Sequence, residues 1–78
     1  MDRKDVYEII DEERDYQDGL EHHSKSKDEK HSVADWIIFM ERKLNQAKEM
    51  TYQLNEDEAI QQVIKVTALG VACLEYRF

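Results

Sequence analysis

The run Asn55-Glu56-Asp57-Glu58-Ala59-Ile60-Gln61-Gln62-Val63-Ile64-Lys65-Val66-Thr67-Ala68-Leu69-Gly70-Val71-Ala72-Cys73-Leu74-Glu75-Tyr76 decides the fold. Its many β-branched residues invite a strand, but apolar–polar alternation fails after a few positions. Ile60, Val63, Ile64, Thr67, Val71 and Leu74 recur instead at helical spacing. Asn55 stands where a helix wants its N-cap, and Glu58 completes an N-x-x-E box. The spacing therefore predicts a helix over about residues 56–76. Val66, Leu69, Ala72 and Cys73 widen its apolar stripe beyond what two short neighbours can cover, and Ala68, Gly70 and Ala72 are small enough for close approach. A chain of 78 residues is also marginal as a lone domain. Both points predict a homo-oligomer, with Val66, Leu69, Gly70 and Cys73 at the interface.

Moving toward the N-terminus, Ser32 and Asp35 form an S-x-x-D cap. Val33, Trp36, Ile37, Met40, Leu44, Ala47 and Met50 then keep helical rhythm to about residue 53. Residues 19–31 lack periodicity and almost all apolar content, which reads as a solvated loop, long for so small a domain. A first helix is predicted over about residues 2–18, with Val6, Ile9, Ile10, Glu13 and Gln17 on one face and Gly19 as its stop. The expectation is one all-α domain spanning residues 1–78, a three-helix bundle with helices at about 2–18, 32–53 and 56–76.

Charge is unevenly placed. The chain carries 18 acids against 11 Lys and Arg, a formal net charge of −7. Residues 1–21 alone hold nine acids and three bases, a net of −6. Such acidity disfavours binding to a nucleic-acid duplex. A single cysteine cannot close an intramolecular disulfide, and no apolar run reaches the roughly 18 residues of a membrane span. The composition thus predicts a soluble protein of the cytoplasm that engages neither duplex nor membrane.

Few residues suggest chemistry. Glu13 and Gln17 continue the apolar stripe of the first helix, so they point inward, and inward polar groups mark a site or an interface. Arg14 and Asp18 share a neighbouring face as an i,i+4 pair. Trp36, one turn into the second helix, could stack a nucleobase, although a tryptophan there more often belongs to the core. Lys65 and the loop lysines 25, 27 and 30 could meet an anion. Glu13, Arg14, Tyr16, Gln17, Trp36 and Lys65 are the candidate ligand-binding residues. His22, His23 and His31 read as solvated loop residues, and Cys73 as a buried structural thiol. Mg²⁺ wants several carboxylates at i and i+3 or i+4 on facing helices. The second helix offers Glu41 and then no acid until Glu49, and Lys65 on the third helix would repel a divalent cation, so no cofactor is expected.

Three segments carry a family resemblance: Glu13-Arg14-Asp15-Tyr16-Gln17-Asp18, His31-Ser32-Val33-Ala34-Asp35-Trp36-Ile37 and Val63 through Glu75. Together they resemble small helical phage proteins related to the MazG-like, all-α nucleotide pyrophosphohydrolases. The resemblance implies an oligomeric helical bundle that handles nucleotides in a bacterial host's cytoplasm. Such enzymes bind magnesium through E-E-x-x-E and E-x-x-D runs. The matching positions here hold Arg42, Lys43, Gln46, Gln62 and Lys65. The resemblance, with those acids replaced, implies a non-catalytic phage accessory protein that binds a nucleotide or a nucleotide signal of host defence. One alternative is an acidic inhibitor of a host protein, its −6 surface over residues 1–21 imitating nucleic-acid phosphate or docking on a basic groove, a reading tested by neutralising Asp5, Glu8, Glu12 and Asp15. The other is a magnesium-dependent pyrophosphohydrolase using Glu13, Glu41 and Glu75.

Overall fold

A computed structural model describes residues 1–20 and 30–78. They form three helices and, among the described residues, no strand: α1 (Arg3–Asp18), α2 (Val33–Tyr52) and α3 (Glu56–Arg77). Both α1 and α2 pack against α3, which is the spine of the molecule. The middle of the expected loop, with His22, His23, Lys25 and Lys27, lies outside the described residues.

Each helix begins where a short polar side chain can satisfy an orphan amide. Asp2 accepts from the Asp5 N–H at 3.0 Å. Ser32 Oγ accepts from the Asp35 N–H at 3.1 Å, while the Asp35 carboxylate accepts from the Ser32 N–H at 2.9 Å, a complete capping box. The α3 cap is only half of the expected box. Asn55 accepts from the Glu58 N–H at 3.2 Å, but the Glu58 carboxylate takes the Gln62 amide at 3.4 Å. The turn from α2 into α3 places Leu54 at φ 58°, with Leu54 N–H on Thr51 O and Asn55 N–H on Met50 O. That is the Schellman pattern, with a leucine where glycine usually stands. The leucine side chain is 92% exposed, so only the backbone is constrained.

The core differs from the sequence reading in the rotation of α3. Ala59, Gln62, Ala68, Leu69 and Ala72 face inward, whereas Ile60, Val63, Val71 and Leu74 are exposed. The cause is Trp36. Its indole is 0% exposed and packs with Leu69 and Ala72, with Phe39, Met40, Cys73 and Tyr76 around them. A ring of that size needs small side chains opposite it, so the alanine-rich side of α3 turns toward α2. Tyr76 stacks on the indole at 6.2 Å with planes 3° apart. Gly70 lies over Met40, whose Sδ would be 3.6 Å from an added Cβ. The four residues expected at an interface between subunits thus sit largely on the inner side of α3. Leu69 is in the core, Gly70 and Cys73 face α2, and Val66 is half-buried.

Candidate functional site

The first polar centre is the seam between α1 and α3. Arg14, on the inward face of α1, is 4% exposed. Its Nε and Nη2 donate to the two carboxylate oxygens of Glu75, each at 3.0 Å, and Nη2 also donates to Asp18 at 3.0 Å. Gln17 Oε1 lies 3.5 Å from Nη1. A planar guanidinium is the cation that can meet a carboxylate in this forked way. The Glu75 hydrogen bond, opposed by burial and seconded by Asp18, holds the Arg14 pKa above its ordinary value. The i,i+4 pair with Asp18 is the one expected from sequence. The long-range partner Glu75 had no local signal.

Beside this seam a cleft of about 490 Å³ opens between α1 and α2, floored by α3. Glu13, Tyr16 and Gln17 form its α1 wall. Phe39, Arg42, Lys43 and Gln46 form the α2 wall, at the i, i+3, i+4, i+7 spacing that puts four side chains on one helical face. Lys65 and Leu69 rise from α3, and Leu20 and His31 close one end. Leu69 and Phe39 give the floor an apolar patch, and the rim is polar. The volume lies in the range of small-molecule sites, while the lining is more polar and charged than is usual for them.

The electrostatics of the cleft run against those of the chain. Arg42, Lys43 and Lys65 line it, with Glu13 as the one carboxylate on its wall among the described residues. No carboxylate of the described residues forms a salt bridge with any of the three cations. Among the described residues the Lys43 ammonium donates only to the neutral Gln46 amide oxygen, at 3.5 Å. In a protein of net charge −7, three cations converge where acids are scarce.

Of the residues singled out by sequence, Glu13, Tyr16, Gln17 and Lys65 come together at this cleft. Arg14 and Trp36 do not line it. Arg14 is saturated by its carboxylates, and the indole faces of Trp36 are covered, with Tyr76 stacked on the ring and His31 and Phe39 edge-on to it. His31 is not a freely solvated loop residue either. It is half-buried, edge-on to Phe39 at 4.9 Å and to Trp36 at 5.4 Å. Sequence reasoning misses Phe39, Arg42, Lys43 and Gln46 as a group. Their common helical face is the available signal, and it is masked because Arg42, Lys43 and Gln46 stand out first as positions lacking magnesium-binding acids.

Of the candidate Mg²⁺ ligands Glu13, Glu41 and Glu75, only Glu13 lines the cleft among the described residues. Both oxygens of Glu75 are engaged by Arg14, and Glu41 is exposed and absent from the cleft lining. Among the described residues no three His, Cys, Asp or Glu side chains are grouped to hold a metal, and the cleft cations would repel one. Among the described residues no helix is long and apolar enough to cross a membrane. No family model, curated protein or solved structure matches the chain.

Proposed function

We propose that the cleft binds a small organic anion of nucleotide type, and that the chain acts by binding rather than by catalysis. The observation that supports this reading is the convergence of Arg42, Lys43 and Lys65, none in a salt bridge with a carboxylate of the described residues, on one cleft of an acidic protein. Phosphate oxygens would take the cations, and a base would lie on the apolar floor between Tyr16 and Phe39. Gln17 and Gln46 can each donate and accept, which suits the edge of a heterocycle. The resemblance to MazG-like phage proteins agrees with a nucleotide. In this reading the protein is an oligomeric phage accessory protein that holds a nucleotide, or a nucleotide signal of host defence, in the host cytoplasm.

Calorimetry against a panel of mono-, di- and cyclic nucleotides tests the proposal. Saturable heat with at least one, weakened by added salt, is expected, and silence across the panel refutes it. The same panel with Mg²⁺, assayed for released pyrophosphate, separates binding from hydrolysis, and no release is expected.

A second reading has its own observation. Asp5, Glu8, Glu12 and Asp15 share a face of α1 and are all exposed. This ladder of charge could dock on a basic groove of a host protein. Capture of that protein should then be salt-sensitive and lost when the four acids are neutralised.

A further inference from the structure

The side of α3 that faces away from the cleft carries Ile60, Val63, Thr67, Val71 and Leu74, all exposed. At about 100° per residue these five form one row, roughly opposite the cleft residues Lys65 and Leu69. The same reckoning on α2 sets Ile37 and Leu44 opposite Phe39, Arg42 and Gln46, so they flank the row on the same side of the hairpin. None of these seven residues is charged. The spacing of the α3 row is itself symmetric about Thr67, with steps of three, four, four and three residues.

We infer that this face pairs with the same face of a second copy, α3 against α3 in antiparallel, with the two-fold axis at Thr67. A two-fold interface requires that if residue i meets residue j, then j meets i. The row satisfies this by its spacing: Ile60 meets Leu74 of the other copy, Val63 meets Val71, and Thr67 meets Thr67. Large residues pair at the ends and small ones at the centre, where the helices come closest. The hydroxyl of Thr67 is already spent on the Val63 carbonyl at 2.8 Å, which leaves its methyl for the partner.

Area and charge agree. The four apolar residues of the row, with Ile37 and Leu44, are each between 36% and 61% exposed. Covering them removes on the order of 600 Å² per copy, roughly 1,200 Å² for the pair, the lower edge of a specific interface. The acid-rich α1 lines the cleft on the opposite side, so the two most negative elements stay apart. This inference rests on the oligomeric part of the proposed function and is independent of what the cleft binds.

Position 60 lies 14 residues from position 74 on one helix, about 21 Å, so the two cannot meet within a chain. They meet only across the proposed axis. Sedimentation velocity on the full chain should give a dimer. Ile60→Lys and Leu74→Glu, at sites 50% and 61% exposed, should each keep the helical circular dichroism. Each should weaken dimerisation at least tenfold. The double variant I60K/L74E should recover the dimer through two Lys–Glu pairs. A symmetric disulfide from Thr67→Cys in a Cys73→Ala background gives a second readout at the axis. A monomeric wild type would overturn both this interface and the oligomeric reading. An oligomer indifferent to the single substitutions would leave that reading standing and overturn this face. Single variants that dissociate without rescue in the double variant would overturn the antiparallel register.

Discussion

The seam and the cleft share α1 and α3, yet they treat positive charge in opposite ways. At the seam one guanidinium meets two carboxylates and is sealed from water. In the cleft three cations line an open space with no carboxylate in salt-bridge contact among the described residues. A buried, saturated cation belongs to the architecture, because its bonding capacity is already used. An open, unpaired one costs little to solvate and keeps its capacity for a ligand. Substitutions at the seam should therefore move stability and spare binding, and substitutions in the cleft should do the reverse.

The largest effect is expected from Arg14→Met. It removes the bidentate bond to Glu75 and the bond to Asp18, and should cost about 2 kcal/mol in urea unfolding. Lysine at the same position should recover only part of this, since a point charge cannot fork. Nucleotide affinity of the folded variant should stay within about twofold; a loss as large as the loss of stability would erase the distinction between the two regions. Lys65→Ala should behave oppositely. Nucleotide binding should weaken about tenfold, equivalent to about 1.4 kcal/mol, with the unfolding midpoint nearly unchanged.

Two smaller effects concern the frame that holds both regions. Ser32→Ala breaks the capping box at the start of α2 and should cost about 1 kcal/mol. The Asp35 carboxyl is held below the usual carboxylate range by the Ser32 backbone N–H first, then by the Ser32 hydroxyl and by His31. Its contribution is therefore complete above about pH 4, the unfolded value, and is lost as pH falls through the lower folded value. Thermal unfolding of wild type across that window should fall more steeply than that of Asp35→Asn. The smallest expected effect is a gain. Gly70→Ala brings its methyl to ordinary contact with Met40 and removes a helix-interior glycine, so it should stabilise the chain by about 0.5–1 kcal/mol.

The three helices were legible because their signals are local. The Ser32 and Asn55 caps and the 3.6-residue rhythm each lie within a few positions of sequence. The rotation of α3 was not legible from that rhythm. Isoleucine, valine and leucine at 60, 63, 71 and 74 make the more apolar stripe, yet the alanine side is buried because Trp36, on another helix, requires it. The left-handed Leu54 escaped for a similar reason, since nothing in its side chain announces that conformation. On α1, the apolar stripe continued by Glu13 and Gln17 pointed inward, and both residues line the cleft together with the more exposed Tyr16. The cations of α2 acquire meaning only once α1 stands across from them.

The most direct test of the central claim is a nitrogen-15 NMR titration of the wild-type protein with the tightest-binding nucleotide of the panel. Saturable shifts are expected, concentrated at Tyr16, Gln17, Phe39, Arg42, Lys43, Gln46 and Lys65, with a midpoint about tenfold higher in Lys65→Ala. Shifts centred on the acidic face of α1 or on the outer row of α3, or shifts that persist unchanged in Lys65→Ala, would contradict that claim.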